Sequence, residues 1–189
     1  MINASAVHGL RVAMSRTPEM HAQYQQYLQE KREKYGDDMP CPFDRGVDGG
    51  LEEHEIVEEY RGILIARPTF PYIVDNGQRV DEHYMILPPE HVHDVHELSS
   101  ERAHDFNETL TYVRTELGWT IMMRANTDIT KSVHHAHAHG FVYGPRVIFQ
   151  YYNREANENI VLFEGEEAKI PHALGRAGIT MTHKSNHDA

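Results

Sequence analysis

Residues 132–141 read SVHHAHAHGF and place four histidines within six positions. Strand side chains alternate faces, so His135, His137 and His139 would project together while His134, Ala136 and Ala138 face the other way. Successive rings on that face would stand roughly 7 Å apart, a spacing at which several can serve one anion or one metal ion. Two chemistries fit the pattern. Neutral imidazole is a common transition-metal ligand, and His-x-His offers two ligands from one strand. The middle imidazole could instead act as a nucleophile, with its neighbours setting its tautomer and protonating a leaving group. A solvated histidine strand without chemistry is the third reading, and strict alternation weighs against it. Spacing alone does not separate the first two. The small Ala136, Ala138 and Gly140 predict tight packing against the reverse face.

The rest of the protein must position this strand. It has 189 residues, 40% hydrophobic and 25% charged, enough for one substantial core. No run of 18 apolar residues occurs and the N-terminal MINASAVHGLRVAMSR has no continuous apolar core. Neither a membrane span nor a secretory signal is therefore expected, and the protein reads as cytoplasmic. Cys41, the single cysteine, excludes an internal disulfide and a Cys-x-x-Cys zinc knuckle, and is expected to be inert. A net charge of −11 argues against a nucleic-acid partner, where clustered cations must replace counterions. A small anionic substrate stays compatible with it. Of the 15 histidines, His8, His183 and His187 fall in tails and read as solvated.

A helix is expected from Thr17, the N-cap, with Pro18 at its first position and Gly36 at its end. Its apolar stripe of Met20, Tyr24, Tyr27 and Leu28 is narrow, as on the surface of a larger body. DDMPCPFDRGVDGG reads as loop. EIVEEY and GILIARP form a hairpin around Arg61-Gly62, FPYIVDNGQRVDE is looped, and HYMILP is a buried strand. Ala103, Phe106, Leu110, Val113 and Leu117 mark a second helix within 98–117, begun by Ser99 or Ser100. WTIMMRAN and HHAHAHGFVY read as strands, followed by RVIFQYY and NIVLF joined by NREANEN. The last two dozen residues show little periodicity. The short connections imply an α+β fold, an antiparallel sheet with helices packed on one face.

SVHHAHAH with its apolar flank resembles the histidine-triad signature, His-x-His-x-His-x-x, of the HIT superfamily of nucleotide hydrolases and transferases. FPYIVDNGQRVDEHYMILPPEHVHDVHEL is similar to that superfamily's earlier block, and RAN before KSVHHAHAH is similar to its asparagine strand and polar loop. CPFD, followed by EIVEEYRGILIARP, resembles its opening segment and first hairpin. The likeness spans residues 41 to 143 in the family's order. It implies a HIT-like domain over 41–165, an N-terminal helical extension over 1–40, an extra C-terminal hairpin, and an irregular tail over 166–189.

The resemblance also assigns roles. His137 would attack the α-phosphorus and carry the nucleotidyl intermediate, His135 would orient and polarise the site, and His139 would hydrogen-bond phosphate and leaving-group oxygens. His83 matches the family's fourth histidine, close to the triad. Ser132 and Asn126 match residues that contact phosphate and nucleotide, and Lys131, Arg124 and Arg146 are local cations for a phosphoryl group. His91 matches a structural histidine at a helix entry, while His93 and His96 read as surface residues.

Several departures stand out. The segment between Asn126 and Ser132 is short, Lys131 replaces a glutamine, Pro68 replaces a polar ribose-side residue, and IVDNGQRVD is inserted. The cysteine pair of zinc-containing members is reduced to Cys41 with Asp44, so no zinc and no cofactor are expected. His139 stands where transferase branches carry glutamine, which favours hydrolysis. The implied partner is a small nucleotide-type substrate, with no membrane and no nucleic acid, and a homodimer is compatible with the family. The rival functions are a metal-dependent enzyme using His135, His137 and His139, with or without His83, and a nucleotide-binding protein without turnover.

Overall fold

The computed structural model describes residues 16–128, 133–153 and 158–176, with the side chains of Pro18, 150–159 and Arg176 outside that description. Helix α1, Pro18–Tyr35, begins as expected: the Thr17 hydroxyl accepts from the Met20 N–H, and Gly36, at φ 63°, closes it. Strands β1, Glu55–Tyr60, and β2, Ile63–Arg67, pair antiparallel across Arg61 and Gly62. Both turn residues have positive φ, 52° and 73°, the geometry that suits the right-handed twist of a two-residue hairpin.

The segment expected to be a loop before His83 is a second hairpin. Strand β3, Val74–Asp75, turns at Asn76 and Gly77, at φ 48° and 76°, into β4, Gln78–Leu87. Asn-Gly is the sequence signal for that turn, and it outweighed the polar composition. Helix α2 runs Ser100–Thr115, capped by the Ser99 hydroxyl on the Arg102 N–H. Strand β5 is Thr120–Met123.

The histidine segment differs from a simple strand. Residues 133–137 bend, and β6 begins only at Ala138. It then continues to Asn153, so HGFVY and RVIFQYY are one strand rather than two. Its first part lies between β4 and β5, and from Val147 it pairs with β7, Glu158–Phe163, as the expected extra hairpin. After 165, where an irregular tail was expected, α3 spans Ile170–Arg176 and Ala173 is buried. Only seven residues long, it is too short for a helical period to stand out.

The seven strands among the described residues form an antiparallel sheet of order β1-β2-β4-β6-β5, with β3 on β4 and β7 on β6, so the expected α+β architecture holds. Alternation gives the sheet two different faces. Ile63, Ile65, Tyr84, Ile86 and Ala138 pack with Phe106 and Val113 of α2. Leu64, Ala66, Met85 and Leu87 pack with Phe43 and Leu51 of the 41–51 segment on the other face. The tight reverse packing predicted behind the histidines is real. A Cβ at Gly140 would stand 2.8 Å from the Trp119 ring, which itself stacks on Tyr84 at 4.1 Å.

Gly140→Ala is therefore expected to lower stability by about 1–3 kcal/mol, an overpacking cost. A strand glycine without such a neighbour gains from the same change. Urea unfolding reads the sign: a stabilised variant would show that Trp119 yields freely.

Candidate active site

Register brings the site histidines together. His83 pairs with Phe141, and Met85 with His139, so His83 and His139 are diagonal neighbours on one face of β4 and β6. His83 Nε2 lies 2.9 Å from His139 Nδ1, with both side chains only 5–6% exposed. The tautomers are set by one fixed donor. The Tyr72 backbone N–H donates to His83 Nδ1 at 3.1 Å, so in neutral His83 the proton sits on Nε2. That proton is donated to His139 Nδ1, which leaves the His139 proton on Nε2.

His137 is set the opposite way by a fixed acceptor. Its Nδ1 is 2.7 Å from the His135 carbonyl oxygen, which can only accept, so neutral His137 carries its lone pair on Nε2. The His137 and His139 rings are 5.1 Å apart at 82°, and Phe43 packs edge-on against His137 at 5.4 Å. The bend at 133–137 makes this possible. It is held to the loop after β4 by Ala136 N–H to Val92 O at 2.6 Å and by His135 Nε2 to Pro88 O at 3.0 Å.

His83, His137 and His139 line a cleft of about 750 Å³ together with Arg124, Pro68 and Tyr72. Among the expected substrate residues, Arg124 reaches it. Asn126 is exposed on the turn after β5 and does not line it, and Arg146 is exposed at the β4 edge. Ser132 and Lys131 lie outside the described residues. Sequence reasoning missed Arg16, Tyr24 and Tyr27, which wall the cleft from an early part of the sequence, and His54, whose buried Nδ1 has no hydrogen-bond partner among the described residues. No local spacing ties those positions to the triad.

Burial keeps the relay neutral. It pushes His83 down to about 3, helped by the charges of Arg16 and His137. It pushes His139 down to about 2, helped by His137, His83, Arg124 and Arg16. His139 is thus a hydrogen-bond donor rather than a reservoir of acid.

His135, fully buried, faces elsewhere. Its Nδ1 is 3.5 Å from Cys41 Sγ and 3.5 Å from Asp44, and its ring packs on His91 at 5.3 Å. Its nitrogens therefore do not converge with those of His137 and His139 on one ion. A different donor set does converge: one ligand atom each from Cys41, Asp44, His91 and His135, all within 4.8 Å of one another. With the His135 proton on Nε2, its Nδ1 offers a lone pair there, and thiolate, imidazole and carboxylate suit a four-coordinate zinc. The expectation of no zinc rested on a missing cysteine, yet Asp44 stands ready as the fourth donor. An ion there would brace the 41–44 segment against His135, and it would deprotonate Cys41, whose thiol burial otherwise pushes up to about 11. Without one, Asp44 and His91 bond at 2.7 Å.

No protein-family model matches the protein, and neither does any curated protein. Among solved structures it is similar to a HIT family hydrolase from Clostridium thermocellum, at 19% identity over 48% of this protein and 79% of that one, with a TM-score of 0.36. A likeness at that level carries no conclusion about substrate or mechanism.

The relay and the four-donor cluster can each be tested in solution. His83 and His139 have folded pKa values below the 6.5 of the unfolded protein, so the unfolded state binds more protons in acid. Stability is expected in full above pH 6.5 and to fall as pH drops toward 3, each histidine adding a slope of up to about 1.4 kcal/mol per pH unit. Thermal melts of His139→Gln should show a shallower fall, and an unchanged slope would refute the assignment. Zinc added to metal-free protein is expected to raise the Tm of the wild type but not of His91→Gln. No rise in the wild type would leave the four donors a hydrogen-bonded cluster.

Proposed function

We propose that this protein is a HIT-like hydrolase that cleaves a phosphoanhydride or phosphoramidate bond of a nucleotide-type substrate through a covalent intermediate on His137. The observation that carries the reading is the pair of opposite tautomers, a lone pair on His137 Nε2 beside an N–H on His139 Nε2. A metal cluster has no use for the second, whereas phosphoryl transfer needs both a nucleophile and a donor to oxygen.

The Nε2 lone pair of His137 forms a bond to the α-phosphorus, and the bond from phosphorus to the leaving oxygen or nitrogen breaks with its electron pair. A phosphate leaves as the anion, and an amine takes a proton from solvent. The positive charge that develops on His137 is shared with its Nδ1–H, held on the His135 carbonyl. The Nε2–H of His139 bonds the phosphoryl oxygens as they gain charge. Water then attacks phosphorus, the Nε2–P bond breaks and restores the lone pair, and the proton of the water returns to solvent. His135 acts through its backbone carbonyl, which orients the nucleophile, while its ring holds the bend in place.

Incubation with adenosine and guanosine phosphoramidates and with dinucleoside polyphosphates, with and without chelator, is expected to release nucleoside monophosphate from at least one of them. His137→Ala should cut that release by about a thousandfold or more. Full turnover by a folded His137→Ala protein would remove the nucleophile assignment. Release abolished by chelator would move the chemistry to a metal.

A further inference from the structure

The sheet face that carries the histidines is not open to solvent alone. Helix α1 stands across the cleft from it: Tyr24, Tyr27, Leu28 and Lys31 line the cavity that His83, His137 and His139 line. The helix is anchored by Phe70, whose ring lies 5.2 Å from Tyr24 and 5.4 Å from Tyr27, and by Lys31, which bonds Asp48 at 2.7 Å. Two residues before the helix, Arg16 enters the same cavity. Its guanidinium lies 4.3 Å from the centre of the Tyr24 ring and 4.5 Å from that of Tyr72, and its Nε donates to the Phe70 carbonyl at 2.9 Å.

Those contacts hold the guanidinium without neutralising it. Among the described residues no carboxylate is within ion-pair distance of Arg16, and its two terminal nitrogens have no hydrogen-bond acceptor. A half-buried cation in that state is costly unless a counter-charge arrives, and ring faces offset only part of the cost. The Tyr72 ring that it covers stacks in turn on His83 at 5.2 Å, which places the charge beside the histidine relay. A planar guanidinium with two unused N–H edges matches a phosphoryl group, and its fixed position spares the entropy of ordering a long, flexible group.

We infer that α1 is part of the substrate site and that Arg16 binds the phosphoryl oxygens of the group held at His137 and His139. The inference deepens the proposed function, since it rests on reading the histidine cleft as a phosphoryl site. It assigns a substrate contact to a part of the sequence outside the motifs. The charge of Arg16 already acts on the relay, since it is among the causes that lower both His83 and His139.

The test is calorimetric titration of the full-length protein with AMP, inorganic phosphate and adenosine, alongside AMP release from adenosine 5′-phosphoramidate. Arg16→Met keeps an apolar stem between the tyrosines and drops the charge, Arg16→Lys keeps the charge without the fork, and Arg114→Gln on the far helix serves as control. Arg16→Met is expected to weaken AMP and phosphate binding by about 10–100-fold, the loss typical of charge-assisted hydrogen bonds, and to leave adenosine binding unchanged. Arg16→Lys should fall between, and Arg114→Gln should match the wild type. AMP and phosphate affinities within twofold of wild type in Arg16→Met, with AMP release by the wild type intact, would overturn the role of Arg16 and leave the hydrolase standing. Arg16-dependent phosphate binding by a wild type that releases no AMP would uphold Arg16 and sink the hydrolase. Equal losses for AMP and adenosine would mean that Arg16 shapes the cleft without contacting phosphate.

Discussion

The site depends on the fact that a backbone N–H can only donate and a backbone carbonyl can only accept. The Tyr72 N–H, aimed at His83 Nδ1, decides where three protons lie: its own, the one on His83 Nε2, and the one on His139 Nε2. The His135 carbonyl decides a fourth, on His137 Nδ1. Two imidazoles with centres 5.1 Å apart thereby present opposite atoms, one a lone pair and the other a proton. Side-chain partners could not hold that contrast so firmly, because a hydroxyl or an amide can rotate to reverse its role. The arrangement demands that residues 133–137 leave the ladder, since a carbonyl engaged with a neighbouring strand could not turn back on the ring two residues ahead.

The rest of the fold serves that demand by making the two sides of β6 unlike. On one side Ala138 is fully buried and Gly140 is pressed by Trp119, so α2 and the Tyr84–Trp119 stack come close to the backbone. Close approach of rigid groups limits how far β6 can shift, and register with β4 then sets the 2.9 Å contact between His83 and His139. On the other side the 41–54 segment and α1 leave a cleft instead of filling it. The same alternation that puts small residues toward the helix puts imidazoles toward the cleft, so packing and chemistry are specified by one stretch of sequence.

This is why the sequence was legible where it was. The start of α2 at Ser99, the hairpin at Arg61-Gly62 and the extra hairpin after 146 follow from local period and turn chemistry, and the cleft-facing pair of His137 and His139 from their alternation, whereas the place of His83 beside them was implied only by the family resemblance. The Asn76-Gly77 turn is equally local, and its Asn-Gly signal prevails over the polar composition around it. The bend at 133–137 is another matter. Alternation predicts a strand there, and only the loop around Pro88 and Val92 takes it out of the ladder. Convergence of Cys41, Asp44 and His91 on His135, and of Arg16 on Tyr72, joins residues far apart in sequence, 94 positions in the case of Cys41, over which no spacing rule operates. Asn126, matched by its motif position, lies on an exposed turn outside the cleft lining among the described residues.

Charge is divided in the cleft in a way that explains why the histidines are buried at all. The protein carries −11 overall, so an anion is drawn in only by local cations. Protonated histidines could supply that attraction, but protonation would consume the lone pair on which the proposed transfer depends. Burial, with the nearby charges of Arg16 and Arg124, holds His139 neutral. Guanidinium stays charged at any physiological pH, so positive charge in the cleft rests on groups that do not titrate, while His83 and His139 are kept neutral beside it. A phosphoryl group entering between them reverses the balance. Its negative charge would offset the arginines and raise the proton affinity of the imidazoles at the moment when, in the proposed mechanism, positive charge develops on His137. The cleft is thus poised electrostatically against protonation of His83 and His139, and under the proposed function an anionic substrate would itself relieve that opposition as a bond to phosphorus formed.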